Sequence, residues 1–412
     1  MKPSAAGSLW RQTDFLKLWA GQTISTFGTG VTTAAVPLTA VLMLGASASD
    51  MGWLLALESA PVLLVGLFAG VWVDRVRRQP LLIGADLGRA ALLTCVPLLA
   101  ALGGLRIEHL FVIAAAAGVL TVLFDVAYRS FVPELVGREG VLEANSRLAT
   151  LDAVAEITTP GLTGALVQVI APPTVILLDA ISFACSALCL FSIKSPEVAK
   201  PPSSSTASVW AEIRDGLRAV SNSPLLRTLA AWEASRNFFG MFIGALYVLY
   251  GLRELGLSPL LIGVTVGVGG ASNLLGTLLV GRLTSRFGAS RTIVGAVLVG
   301  CVGPVLIALA PGRALEGFVV LVVAQSLDLI HPLYDVNALT FRQLSTPDHL
   351  LGRVNATLHV IARGVIPFGA LAGGLLGDAI GLRPTLFVAA GGIIVGAVWL
   401  ARSPVWSSPE QK

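Results

Sequence analysis

Charge is scarce in this chain. Asp, Glu, Lys and Arg make up only 13% of its 412 residues, about half of what soluble globular domains carry, and that shortage excludes a protein wetted over most of its surface. Cysteine and histidine are scarcer still, at four each. Cys95, Cys185, Cys189 and Cys301 include no paired C-x-x-C, and no two histidines have the spacing of a closed site. Neither a metal centre nor a disulfide framework is expected, and the cysteines read as small buried apolar side chains. The chain also lacks the phosphate-binding G-x-x-x-x-G-K-S/T, the G-x-S-x-G elbow and H-E-x-x-H. No enzyme activity, ATP use or cofactor is expected from it.

Apolar residues fill the space that charge leaves. They form 55% of the chain, and the mean hydropathy is +0.81. Runs of about 20 apolar residues, long enough to cross a bilayer, recur about twelve times, from 18–44 to 382–402. The expected class is an all-α membrane protein whose first partner is the lipid bilayer. The first run is too long for a secretory signal and has no small-residue cleavage site, so it is expected to remain as a helix. With the N-terminus inside, 21 of the 28 Lys and Arg residues fall on inner segments, while only Arg106, Arg253, Arg313 and Arg383 fall on outer loops. This bias predicts that both termini are cytoplasmic. It also accounts for the formal charge of +4 without a nucleic-acid partner.

The middle of the chain changes character at 194–224, where Pro, Ser and charged residues separate two apolar regions, 1–193 and 225–412. Its first part reads as a tether. Val209, Ile213, Leu217 and Val220 then recur at helical spacing, predicting a short amphipathic helix, either lying along the cytoplasmic membrane surface or serving as a solvated connector. On either side of this segment the sequence repeats. "FDVAYRSF" at 124–131 and "YDVNALTF" at 334–341 share Asp, Val and Phe in register. Gly52, Gly70 and Arg75 match Gly263, Gly281 and Arg286 at an offset of 211, and Asp125, Asn145 and Gly164 match Asp335, Asn355 and Gly374 at 210. Six helices return the chain to the side it started from, so the halves are expected to be parallel six-helix repeats that rock about a central site.

"GVWVDRVRRQPLL" at 70–82 resembles the loop motif between the second and third helices of the major facilitator superfamily, with Gly70, Asp74, Arg75 and Arg78 in place and Arg77 where the family usually has Gly. The second copy, "GRLTSRFGASR" at 281–291, keeps Gly281, Arg286 and Gly288 but has Ser285 at the acidic position. "ADLGRA" at 85–90, "FDVAYRSFVPELVGREGVLEANS" at 124–146 and "LRAVSNSPLLR" at 217–227 are similar to the enterobactin and macrolide exporters of that superfamily. "TPGLTG" at 159–164 stands where many antiporters carry Gly-Pro-x-x-Gly-Gly, and keeps Pro160 and Gly164. The resemblance implies a conformational latch on the inner side. In it Asp74 meets the start of the eleventh span near Gly352 to Asn355, Asp125 partners Arg75 or Arg78, and Asp335 is the second-half counterpart of Asp125. The alternative is that these are solvated loop charges that only fix topology.

Charges deep in spans are costly and usually functional or paired. Asp152 and Glu156 are four residues apart on the fifth span, Glu233 and Arg236 three apart on the seventh, Asp328, His331 and Asp335 share one face of the tenth, and His359 and Arg363 one face of the eleventh. Glu58 and Asp179 are isolated on the second and sixth spans. Glu156 and Glu58 are the first candidates to carry protons, having no cation nearby on their own helix, whereas Glu233 is expected to be neutralised by Arg236 and Asp328 by His331. Each pair is either part of a transport pathway or helix-holding glue. Trp53, Phe124, Trp232, Phe238, Phe239, Tyr247 and Tyr334 are candidates for an aromatic pocket or for an interfacial belt. The leading expectation is a monomeric, proton-driven exporter of a small amphipathic molecule such as a siderophore, a macrolide or another secondary metabolite. The alternatives are an importer or facilitator of a polar nutrient and a membrane-embedded sensor.

Overall fold

The computed structural model describes residues 9–66, 72–73, 75–194 and 209–403, and all regular structure among them is helical. These residues form two compact units, one of 9–46 with 57–194 and one of 47–56 with 209–403. Gly70, Asp74 and most of the expected tether lie outside the described residues.

The first unit contains α1 (Thr13–Leu44), the later part of α2 (Ala48–Leu64), α3 (Arg78–Ala101), α4 (Ile107–Val169) and α5 (Pro172–Phe191). α5 packs against both α1 and α3, and α4 touches the same two helices. Phe15, Leu18, Leu82, Phe124, Phe131 and Leu190 are among the buried side chains that fill the space between them. α4 carries two expected spans in one run of 63 residues, interrupted at Gly137 with φ 71 and ψ 163. Side chains other than glycine rarely adopt that backbone conformation. A break that reads in the sequence as a cytoplasmic loop is here one residue of reversed φ between helical stretches.

The second unit contains α6 (Val209–Asn222), α7 (Pro224–Arg253), α8 (Pro259–Phe287), α9 (Ala289–Gly300), α10 (Val302–Leu309), α11 (Ala314–Ser326), α12 (His331–Ser345), α13 (Asp348–Gly364), α14 (Ile366–Ile380) and α15 (Leu382–Ala401). α7 and α8 begin alike. Ser223 accepts a hydrogen bond from Leu226 N and Ser258 from Leu261 N, each followed by a proline in the first turn, where its missing N–H costs nothing. The expected ninth, tenth and eleventh spans are each broken, after Gly300, at a 3-10 turn over Leu327–Ile330 and at Val365. Pro304, Pro332 and Pro367 follow these breaks and remove the backbone donor that would have continued the helix. Among the described residues nine helices are long and apolar enough to cross a membrane. Counting the two parts of α4 separately, and adding Ala48–Leu64 and the charge-bearing Pro224–Arg253, gives the twelve passes expected from the sequence.

The amphipathic helix forms where expected and packs against its own unit. α6 docks on α13, with Val220 buried in a cluster with Leu226, Ala230, Val354 and Leu358. Gly216 is the point of closest approach, since a Cβ there would meet Thr357 and the Arg353 carbonyl. Of its expected apolar face, Val220 is covered by α13 and α7 while Leu217 is exposed. The cysteines differ from expectation: Cys301 is buried, but Cys95 is on the outer surface of its helix, where an apolar thiol meets lipid as readily as a core.

Candidate functional site

In the first unit a cavity of about 210 Å³ opens between α1, α2, α3, α4 and α5, lined by Glu58, Arg89, Asp125 and Asp179 with Thr32 and Phe183. Its basic centre is Arg89 on α3, whose Nη2 donates to Asp86 Oδ1 at 2.5 Å. The guanidinium lies 4.5 Å from the ring centroid of Phe124 and 4.1 Å from that of Phe183, so two aromatic faces fix its plane. Asp86 and Asp179 are 0% and 1% exposed. Asp179, isolated on its own helix, is held by Ser182, whose hydroxyl is 2.9 Å from Oδ1. Arg89, Asp125 and Asp152 also line an adjoining cavity of about 350 Å³, together with Tyr128. Glu156 is exposed on α4 and does not line these cavities.

At one end of this unit Arg78 starts α3 and pairs with Glu134 of α4, Nη1 to Oε1 at 2.6 Å. The sequence expectation gave Arg78 or Arg75 to Asp125. In the structure Glu134 lies nine residues beyond Asp125 along the same helix and reaches Arg78, while Asp125 lines the cavity beside Arg89 and Arg75 is exposed.

The second unit holds a cavity of about 400 Å³ lined by Trp232, Arg236, Asp328, His331, Tyr334 and Asp335. The 3-10 turn ahead of Pro332 presents Asp328 and His331 to it, and His331 Nδ1 lies 3.7 Å from Asp328 Oδ1, as the spacing anticipates. The other expected pair is exchanged. Arg236 Nη2 donates to Asp335 Oδ1 at 3.2 Å, while Glu233 Oε1 accepts from Tyr334 OH at 3.4 Å and faces Arg342 Nη1 at 3.7 Å. Cross-helix partners displace Glu233–Arg236 because α12 presents Asp335 and Arg342 to the same face of α7. Trp232 and Tyr334 meet edge to face, with centroids 6.2 Å apart. An adjoining cavity of about 610 Å³ is lined by Glu233, Arg236, Arg342, His359 and Arg363. Of the remaining aromatic candidates, Phe238 and Phe239 pack on one another and Tyr247 is buried, its hydroxyl donating to Thr265.

Sequence reasoning did not single out Asp86, Arg89, Glu134 or Arg342 as site residues. Asp86 and Arg89 stand three apart inside "ADLGRA", the same signal used for Glu233 and Arg236. Glu134 and Arg342 take partners on other helices, which no spacing within one helix encodes, and for Glu134 the same-helix spacing points instead to Arg138.

Each of the two helical units thus holds a cavity with charged side chains set in a largely apolar wall. The family profile described as Major Facilitator Superfamily matches residues 18–365. The chain belongs to the major facilitator superfamily. It is similar to the multidrug efflux pump Tap of Mycolicibacterium fortuitum, with 29% identity over 87% of this chain and 88% of that protein. It also resembles macrolide efflux protein A of Streptococcus pyogenes, with 23% identity over 90% of each chain. Among solved structures, a bacterial homologue of the iron transporter ferroportin in its inward-facing state superposes with a TM-score of 0.75 at 17% identity, covering 97% of this chain and 99% of that one. At that identity the likeness carries the superfamily fold alone. This superfamily member is a multi-pass membrane transporter of small molecules and not an enzyme.

Proposed function

We propose that the chain exports a small amphipathic molecule across the cell membrane in exchange for protons, as a monomer with both termini in the cytoplasm. The observation that carries this reading is the second-unit cavity, where the Trp232 and Tyr334 rings stand beside the Arg236–Asp335 pair and the Asp328–His331 pair. Aromatic faces bind the apolar body of such a molecule, the Arg236 and Asp335 charges orient its polar groups, and His331 offers an imidazole beside them. The names of the two efflux relatives support export, and macrolides are accordingly the first cargo class to test. The two six-helix bundles, 1–193 and 225–412, alternate access around the cargo, and 194–224 joins them. The loop from Gly70 to Arg78, with Asp125 and Asp335, acts as the conformational latch.

Inside-out vesicles containing the chain test the reading, with erythromycin as probe and protease accessibility of a terminal tag fixing sidedness. Export by antiport predicts accumulation that requires a proton gradient and collapses with a protonophore. Asp74→Asn is expected to slow that accumulation at normal abundance. Accumulation only in right-side-out vesicles would establish uptake instead.

A further inference from the structure

The acid-lined cavity of the first unit presents more carboxyls than its buried cation balances. The polar groups of α1 there are the hydroxyls of Thr29, Thr32 and Thr33; α2 contributes Glu58; α3 contributes Arg89, with Asp86 bonded to it. Asp125 comes from α4 and Asp179 from α5. Where the neighbouring cavity adjoins, α4 adds Tyr128, Arg129 and Asp152. The ion pair of Arg89 goes to Asp86, and two buried, hydrogen-bonded groups of opposite sign form a neutral unit. Asp179, equally buried, accepts from the Ser182 hydroxyl, with Thr32 and the Arg89 guanidinium in the same cavity wall.

That serine is arranged in an unusual way. Ser182 Oγ stands 2.8 Å from the Asp179 carbonyl oxygen and 2.9 Å from Asp179 Oδ1. A hydroxyl has one hydrogen to give. When it donates to Oδ1, Asp179 is a charged acceptor. When it donates to the carbonyl, the Oδ1 contact is a hydrogen bond only if the carboxyl supplies the hydrogen. One rotor therefore serves both ionisation states without moving a heavy atom. Gly28 of α1 leaves the room for this, since a Cβ there would fall on Asp179 Oδ1 and Ser182 Oγ. Arg89 Nε is buried without a hydrogen-bond partner among the described residues, so the guanidinium retains a spare donor for a second acid.

We propose that Asp179 is the group that takes up and releases a proton in the transport cycle, with Ser182 as its rotor and Arg89 as the cation that attracts its charged form. In loading, hydronium in the cavity water gives a proton to a carboxylate oxygen of Asp179 and is left as water, the Ser182 hydroxyl turns to the carbonyl, and one negative charge in the cavity is neutralised. Release reverses each change. The destination of the proton rests on the proton-driven reading above, whereas proton binding itself needs no cargo.

Infrared difference spectra of the full chain in lipid vesicles, stepped from mildly alkaline to mildly acidic buffer, test the assignment. A protonated-carboxyl band is expected in the wild type, lost in Asp179→Asn, displaced in Asp179→Glu and Ser182→Ala, and retained in Glu58→Gln and Asp152→Asn. No band in the wild type, a band surviving Asp179→Asn, or one lost in Glu58→Gln overturns the assignment. If Asp179→Asn does not accumulate, a band unmoved in both Asp179→Glu and Ser182→Ala overturns it. Erythromycin-induced proton flux in the same vesicles tests coupling separately. Its absence beside an intact Asp179 band would defeat the antiport reading and leave the proton site standing.

Discussion

Arg89 is fixed by an acid on one side and by two rings on its faces. A planar guanidinium stacks and forks in ways an ammonium does not, so Arg89→Lys is expected to keep the charge yet lose thermal stability, by about 1–2 kcal/mol for the lost stacking. Arg89→Leu should be worse, because it leaves Asp86 buried as an uncompensated charge, which costs about 3–5 kcal/mol. Adding Asp86→Asn to Arg89→Leu should recover much of that loss. Unfolding midpoints of the purified variants in detergent measure all three, and a double variant as unstable as Arg89→Leu alone would mean that Asp86 is not the partner that matters.

At the scale of the element, Gly137 is where one helix becomes two. Its φ of 71 with ψ 163 is strained for any side chain, and Gly137→Ala is expected to cost about 1–3 kcal/mol, read as a lower unfolding midpoint at unchanged helix content by circular dichroism. An unchanged midpoint would show that the break relaxes without glycine. The spans and their number were legible because each is written locally, in runs of apolar residues and their flanks. The Asp328–His331 pair was legible for the same reason, since both partners lie on one turn. What could not be read is the choice among partners on different helices. Arg78 takes Glu134, Arg236 takes Asp335, and α6 covers α13, and no spacing within one helix encodes these choices. The proline breaks were visible as residues, but their effect depends on what replaces the missing donor.

The two units carry the same repeat yet are charged differently. The repeat aspartates Asp125 and Asp335 each lie beside an arginine, but Arg89 comes from α3 and Arg236 from α7, which are not equivalent positions. Acid predominates around the first-unit cavity, while Arg236, Arg342 and Arg363 share the larger second-unit cavity with Glu233 and Asp335. This difference has a consequence for biosynthesis, because a chain leaves the ribosome in order and each arginine must enter lipid before later helices exist. An arginine at the centre of an inserting helix costs about 2.5–3.5 kcal/mol. Arg89 enters with Asp86 three residues ahead of it and is already paired. Arg236 must wait for Asp335, 99 residues later, and until then the acid within reach on its own helix is Glu233. The pairing that the mature structure discards is thus the one the nascent chain needs. In chains truncated before Asp335, Glu233→Gln should lower membrane insertion of Pro224–Arg253 in a glycosylation-mapping assay, whereas Asp335→Asn in the full chain should leave that insertion unchanged. Equal insertion with and without Glu233 would remove it from this transient role.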